Sequence, residues 1–189
     1  MNIKVNDVKK AYGEKQIFDG LNLEFEEHAV NCVMGRSGCG KTTLINMIMG
    51  IDKDYKGAIE GVPQNLGVVF QENRLCEDFS VLSNIKLVCD KSISGDEIIR
   101  NLESVGLGEN IHTPVKELSG GMKRRVALVR AVLSKGELLI LDEPFKGLDD
   151  DTKEDVTKYL LEGKNNRTVI MVTHDPEEVK MLGGRLISL

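Results

Sequence analysis

The spacing of hydrophobic and polar positions changes along the chain. Leu21, Leu23 and Phe25 alternate with Asn22, Glu24 and Glu26, the two-residue period of a strand with one face in water. This N-terminal region reads as antiparallel β structure. Four later runs are nearly unbroken: Ala29 to Met34, Leu66 to Phe70, Leu138 to Leu141 and Val169 to Val172. Short apolar runs with no polar face suit strands covered on both sides, as in a parallel sheet wrapped by helices. Arg185 to Leu189 reads as the final strand of that core.

Helical patterns fill the spaces between. Leu44 to Met49 is an apolar segment, and Met122, Val126, Val129 and Leu133 share one helical face behind Ser119, a residue suited to an N-cap. Asp175 can cap a last short helix, with Pro176 at its first position, Glu177 and Glu178 in its positive first turn, and Gly183-Gly184 to end it. Between Asn73 and Glu117 no buried strand set is visible, while Ile98, Ile99, Leu102 and Val105 form a helical face. The expected architecture is α/β: one domain over 1–189 with a mainly parallel sheet, an N-terminal antiparallel β region and an inserted helical lobe. The lobe is expected at about 73–117, between core segments 1–72 and 118–189. Without a repeat, low-complexity run or Pro/Ser-rich linker, it is expected to pack on the core.

Composition narrows the function classes. The 189 residues, 41% apolar and 29% charged, fit one globular domain and exclude a disordered chain. A formal charge of −5 argues against binding nucleic acid through phosphate neutralisation, and 4% aromatics leave few platforms for stacking single strands. No run reaches the ~18 apolar residues of a spanning helix, and Met1 to Asp7 lacks the layout of a signal peptide. A cytosolic protein is expected. Cys32, Cys39, Cys76 and Cys89 fit neither zinc-site nor disulfide-scaffold spacing, so reduced, mostly buried thiols are expected.

The chemistry begins at Gly35-Arg36-Ser37-Gly38-Cys39-Gly40-Lys41-Thr42, which fits GxxxxGK[ST] between a buried strand and an apolar helical segment, with Thr43 following. The glycines let successive N–H groups turn toward a phosphate while the helix N-terminus adds positive charge. Lys41 reaches the β- and γ-phosphates, and the Thr42 hydroxyl suits Mg²⁺. The pattern predicts nucleoside-triphosphate binding, with a P-loop NTPase core as the expected fold; the plainer alternative is a chance Gly-rich turn before a helix. A second helix start, Ser119-Gly120-Gly121, has more glycine than capping requires and offers bare N–H groups to a ligand; the plainer alternative is a simple Ser-Gly-Gly cap. Two phosphate-sized cradles in one chain suit sites shared between two chains.

Taken with further motifs, the chain resembles the nucleotide-binding subunit of an ATP-binding-cassette (ABC) transporter from its first strand to its last residues. Leu118-Ser119-Gly120-Gly121-Met122 resembles the family signature LSGGQ, and Leu138-Leu139-Ile140-Leu141-Asp142-Glu143-Pro144 its Walker B strand followed by a catalytic glutamate. Gln71 falls at the Q-loop, Gly147-Leu148-Asp149 at the D-loop, Thr173-His174-Asp175 at the switch histidine, and Tyr12-Gly13 at the aromatic that stacks on adenine. The resemblance implies that Asp142, with Thr42 and Gln71, holds Mg²⁺. Glu143 would orient the attacking water and take its proton, and His174 would donate to the γ-phosphate. Gln71 would report nucleotide state to the lobe, and Asp149 would cross a dimer interface. An acidic turn at 142–144 and an exposed loop amide at Gln71 are the plainer alternatives; for His28 and His112 the plain reading of surface or satisfied histidines is kept.

The implied function is that of an ATPase subunit powering a membrane transporter: two copies, or this chain and a paralogue, close head to tail around two ATP–Mg²⁺ and open on hydrolysis. An integral membrane subunit would dock a short helix near Gln71 to Asp78, leaving this chain peripheral on the cytoplasmic face of the membrane. Val69 to Leu75 and Leu118 to Arg125 look most like importers of the nitrate/sulfonate/taurine kind. Met122 replaces the signature's usual glutamine, and Lys146 stands where a small residue is usual. The chain end soon after Arg185 leaves no C-terminal regulatory domain in this expectation. The alternatives are a soluble ABC ATPase acting on nucleic acid or ribosomes, and a non-hydrolysing ATP switch; the intact Glu143, His174 and Lys41 speak against the latter.

Overall fold

The computed structural model describes residues 2–134 and 136–189. Strand β1 (Ile3–Tyr12) turns through Gly13 into β2 (Lys15–Phe25), and β4 (Lys56–Glu60) joins the other edge of β1, giving an antiparallel sheet in the order β2-β1-β4. The alternation at Leu21, Leu23 and Phe25 thus belongs to a hairpin strand, as its period requires. Strands β3 (Val30–Met34), β5 (Leu66–Val69), β6 (Leu138–Asp142), β7 (Thr168–Val172) and β8 (Arg185–Ser188) form a second sheet, parallel throughout, in the order β5-β6-β7-β3-β8.

The unbroken apolar runs are explained by where alternate side chains go. Val33, Leu138, Ile140, Ile170 and Val172 pack on one side with α1 (Lys41–Ile48) and with Ile3, Val5, Phe18 and Phe25 of the antiparallel sheet. Cys32, Leu139, Leu141, Val169 and Met171 pack on the other with α4 (Gly120–Val132) and α5 (Asp150–Gly163). Strand β8 is an edge, so only Ile187 of its side chains is buried and Leu186 stays exposed; the expected core strand is a rim strand.

Within 73–117 lie α2 (Val81–Lys86), α3 (Gly95–Glu103) and two 3₁₀ turns, Gly108–Asn110 and Val115–Glu117. Ser80 and Ser94 cap the helices by accepting from Ser83 N–H and Glu97 N–H. Val81, Ile85, Ile98 and Leu102 bury this segment against α4. Asn84, fully buried, accepts from Cys76 N–H and donates to the carbonyls of Cys76, Phe79 and Ser80, which orders the preceding loop. Helix α6 (Pro176–Met181) starts at Asp175, whose carboxylate accepts from Glu177 N–H.

The cysteine expectation needs correction. All four thiols are free, but only Cys32, inside β3, is buried; Cys76 is exposed and Cys39 and Cys89 are half-buried, because they sit in loops. Burial, with Glu178 nearby, pushes the Cys32 thiol up to about 11. Among the described residues no helix is long and apolar enough to cross a membrane.

Candidate functional site

Three strand ends of the parallel sheet converge with the phosphate loop. Gly40 caps α1 at φ 105, and a Cβ there would lie 2.6 Å from Phe18 Cζ, so only glycine fits. Helix α1 has neither a side-chain cap nor an acidic residue in its first turn, which leaves its N-terminal N–H groups to an anion. Lys41 Nζ donates to the carbonyls of Gly35 (2.7 Å) and Arg36 (3.2 Å), holding the ammonium over the loop.

A cavity of about 390 Å³ is lined by Tyr12, Ser37, Gly38, Gly40, Lys41, Thr42, Thr43, Gln71, Asp142 and Glu143. With Val172 at the end of β7, residues from five separate stretches of sequence meet at one place. Gly35, Arg36 and Cys39 belong to the loop but do not line the cavity. Asp142 ends β6 nearly buried, and its carboxyl is pushed upward first by burial and then by the adjacent Glu143 charge, against Arg124, Lys41 and Lys146. With Thr42 and Gln71 it also lines a neighbouring cavity of about 210 Å³. A hydroxyl, an amide and a carboxylate form the all-oxygen donor set that a hard cation such as Mg²⁺ prefers.

Glu143 adopts a left-handed φ of 49, a costly conformation for a residue with a Cβ. Its N–H donates to Val172 O (2.9 Å) and its carbonyl accepts from Lys146 N–H (3.1 Å). The carboxylate is turned toward His174, whose Nδ1 is 3.6 Å from Oε1, while Lys146 Nζ is 3.1 Å from Oε2. His174 itself is exposed and does not line the cavity. The lysine that departs from the family pattern is thus a direct partner of Glu143.

The signature residues lie elsewhere. Ser119 caps α4 by accepting from Met122 N–H (3.3 Å). With Gly120, Gly121, Lys146 and Asp149 it lines a separate cavity of about 520 Å³, which shares only Gln71 with the phosphate-loop cavity. Asp149 accepts from Thr152 N–H (2.9 Å) as the N-cap of α5. Met122 is half-buried against the core, which suits its apolar side chain.

Comparison with known proteins bears directly on this arrangement. A family profile described as ABC transporter matches residues 18–146. The chain belongs to the ABC transporter family. The cassette is 38% identical to the bicarbonate transport ATP-binding protein CmpD of Synechococcus elongatus, over 98% of this chain and 74% of that one. It is also 38% identical to the aliphatic sulfonates import ATP-binding protein SsuB 2 of Frankia alni, over 99% of this chain and 76% of that one. Among solved structures, the dimeric structure of MJ0796, a bacterial ABC transporter cassette, matches with a TM-score of 0.86 at 28% identity, over 99% of this chain and 94% of that one. The cassette is an ATP-binding ATPase of this family, as its motifs imply.

Sequence motifs alone do not single out Arg124 or Arg130 of the ABC cassette. Arg124 in α4 is 2% exposed, and its guanidinium donates to the carbonyls of Phe70, Asp142, Glu143 (2.6 Å) and Pro144 (3.3 Å) and to Asn73 Oδ1 (3.1 Å). Arg130, lower on the same helix, donates to the carbonyls of Asn73 (3.1 Å) and Arg74 (2.9 Å). The signature helix is thereby fastened to the loop after Gln71 and to the end of β6. The available signal was an arginine flanking the apolar run Val126 to Val129, a place where an uninvolved cation would be expensive.

Proposed function

We propose that this cassette powers an importer by closing with a second cassette, identical or paralogous, around two ATP–Mg²⁺. The observation that carries this reading is the separation of the two phosphate cradles: within one chain the phosphate loop and Ser119-Gly120-Gly121 line different cavities. A Cβ on Gly120 would meet nothing within 4 Å inside the chain, so internal packing does not require a glycine there and the position is open to a contact from outside. The match to a dimeric cassette agrees.

In this reading Lys41 and the loop amides hold the β- and γ-phosphates, and Tyr12 takes the base. Thr42, Gln71 and Asp142 hold Mg²⁺, which when bound neutralises charge on the phosphates. Glu143 orients the attacking water and accepts its proton, His174 donates to the γ-phosphate, and Asp149 contacts the partner. The core, 1–72 and 118–189, carries the phosphate loop, while the lobe, 73–117, follows Gln71. A membrane subunit docks beside Gln71 to Asp78, keeping the cassette at the cytoplasmic face of the membrane. Relatives named for bicarbonate transport and aliphatic sulfonate import support the importer class.

The test is the dependence of turnover on protein concentration. Specific activity should rise as chains associate, and Glu143→Gln should lose at least ~10²-fold in turnover while accumulating an ATP-bound dimer on gel filtration. Mixing Lys41→Ala with Ser119→Arg chains should restore one composite site per heterodimer. No rescue at any ratio, together with turnover independent of dilution, would overturn the shared-site reading.

A further inference from the structure

Lys10 occupies a place that the alternation of β1 assigns to an apolar side chain, and it is 3% exposed. A buried ammonium is costly unless paired. Its Nζ donates to Asp52 Oδ1 (2.9 Å), to Asp54 O (2.6 Å) and to Asp54 Oδ2 (3.4 Å). Burial pulls its pKa down, but the hydrogen bonds and charges of Asp52 and Asp54 outweigh that, and the net shift is upward.

None of the hydrolytic residues touches this cluster, yet it ends in the nucleotide cavity. Lys10 Nζ lies 4.5 Å from the centroid of the Tyr12 ring, and Tyr12 Oη donates to Asp52 Oδ2 (2.8 Å). The tyrosine is held by its hydroxyl and backed by a cation, while the ring remains half exposed and lines the cavity with the phosphate loop. Asp52 is in turn fixed to α1, since the N–H groups of Ile51 (2.9 Å) and Asp52 (3.1 Å) both donate to Asn46 O. One helix therefore presents its N-terminus to the phosphates and, at its other end, the anchor of the ring.

We propose that Lys10 and Asp52 are positioning residues for base recognition: they lock the Tyr12 ring at a set distance from the phosphate loop so that it stacks on the purine of the nucleoside triphosphate. This rests on Tyr12 being the base platform. A ring already held in place incurs little ordering cost when the base arrives. The cation behind it also draws on the ring's π density, which favours stacking of its outer face on an electron-rich purine.

Calorimetric titration of the full chain with ATP and with inorganic tripolyphosphate, which has no base, separates the possibilities. Lys10→Met, Asp52→Asn and Tyr12→Phe should each weaken ATP by about 3- to 10-fold, the range of one aromatic contact, and leave tripolyphosphate unchanged. In a Tyr12→Ala chain the Lys10 and Asp52 substitutions should have no further effect on ATP. Tyr12→Phe removes only the bond to Asp52 at an exposed residue, so it still tests the anchor if Lys10→Met fails to fold. Equal losses for both ligands would overturn the proposal. So would unchanged ATP affinity in these variants when Tyr12→Ala weakens it. Wild-type ATP affinity in Tyr12→Ala would instead remove the platform itself, and the proposal with it.

Discussion

Replacing Arg124 by methionine keeps most of the side chain's volume and removes every donor. Its partners are chiefly backbone carbonyls, those of Phe70, Asp142, Glu143 and Pro144, and no compensating substitution can delete them. The Glu143 carbonyl retains the Lys146 N–H, while those of Phe70, Asp142 and Pro144 lose a donor, the last two in a buried place. Each buried acceptor left unpaired costs about 1–3 kcal/mol. Two effects offset part of this. Burial lowers the Arg124 pKa, so the native state already bears a desolvation cost that methionine does not, and water entering the gap can bridge some carbonyls. A net loss of about 2–5 kcal/mol is expected, or roughly 4–20 °C in Tm for a chain of this size. Lysine keeps the charge but not the planar fork, and should fall between. Thermal unfolding by circular dichroism measures the loss, and turnover should fall with it because Gln71 and Glu143 sit on the loosened segments. A methionine variant within about 2 °C of wild type and with normal turnover would refute the argument.

Three further substitutions test the site from other sides. Gly40→Ala forces a Cβ to 2.6 Å from Phe18 Cζ at φ 105, so it should cost about 1–3 kcal/mol of stability and greatly weaken nucleotide binding; unaltered binding would mean that the loop can relax. Lys146→Ser removes a half-exposed ion pair to Glu143, worth under about 1 kcal/mol, so Tm should hold within about 4 °C, and a larger drop would make Lys146 structural. Glu178, nearly buried, accepts from the Thr173 hydroxyl (2.5 Å), and burial, with Asp175 nearby, raises its pKa against the opposing effects of Thr173, Lys153 and His174. Between its ordinary and raised pKa the native state binds more protons than the unfolded chain, so stability falls as pH rises through that window. Glu178→Gln, which still accepts from Thr173, should therefore melt higher than wild type at neutral pH, with the gain shrinking near pH 4; a gain independent of pH would exclude the carboxyl as its cause.

The local plan of this protein was legible along the chain. Period and run length separated the half-wet hairpin strand Leu21 to Phe25 from the doubly covered strands β3, β6 and β7, because side-chain burial follows directly from strand periodicity. Ser119 and Asp175 cap α4 and α6 as their positions suggested, since a cap is a contact between neighbours three residues apart or fewer. The phosphate loop was equally readable, its function being carried by backbone N–H groups within a single turn. Tertiary structure decided the contacts between residues distant in sequence. Only folding brought Asp52 under Tyr12, Arg124 onto the carbonyls of Phe70 and Asp142, and Lys146 onto Glu143, and only folding left the signature glycines facing a different cavity from the phosphate loop. Periodicity reports which side of an element is covered; it carries no information about which distant group covers it, and charged side chains in apolar positions are where that difference matters most.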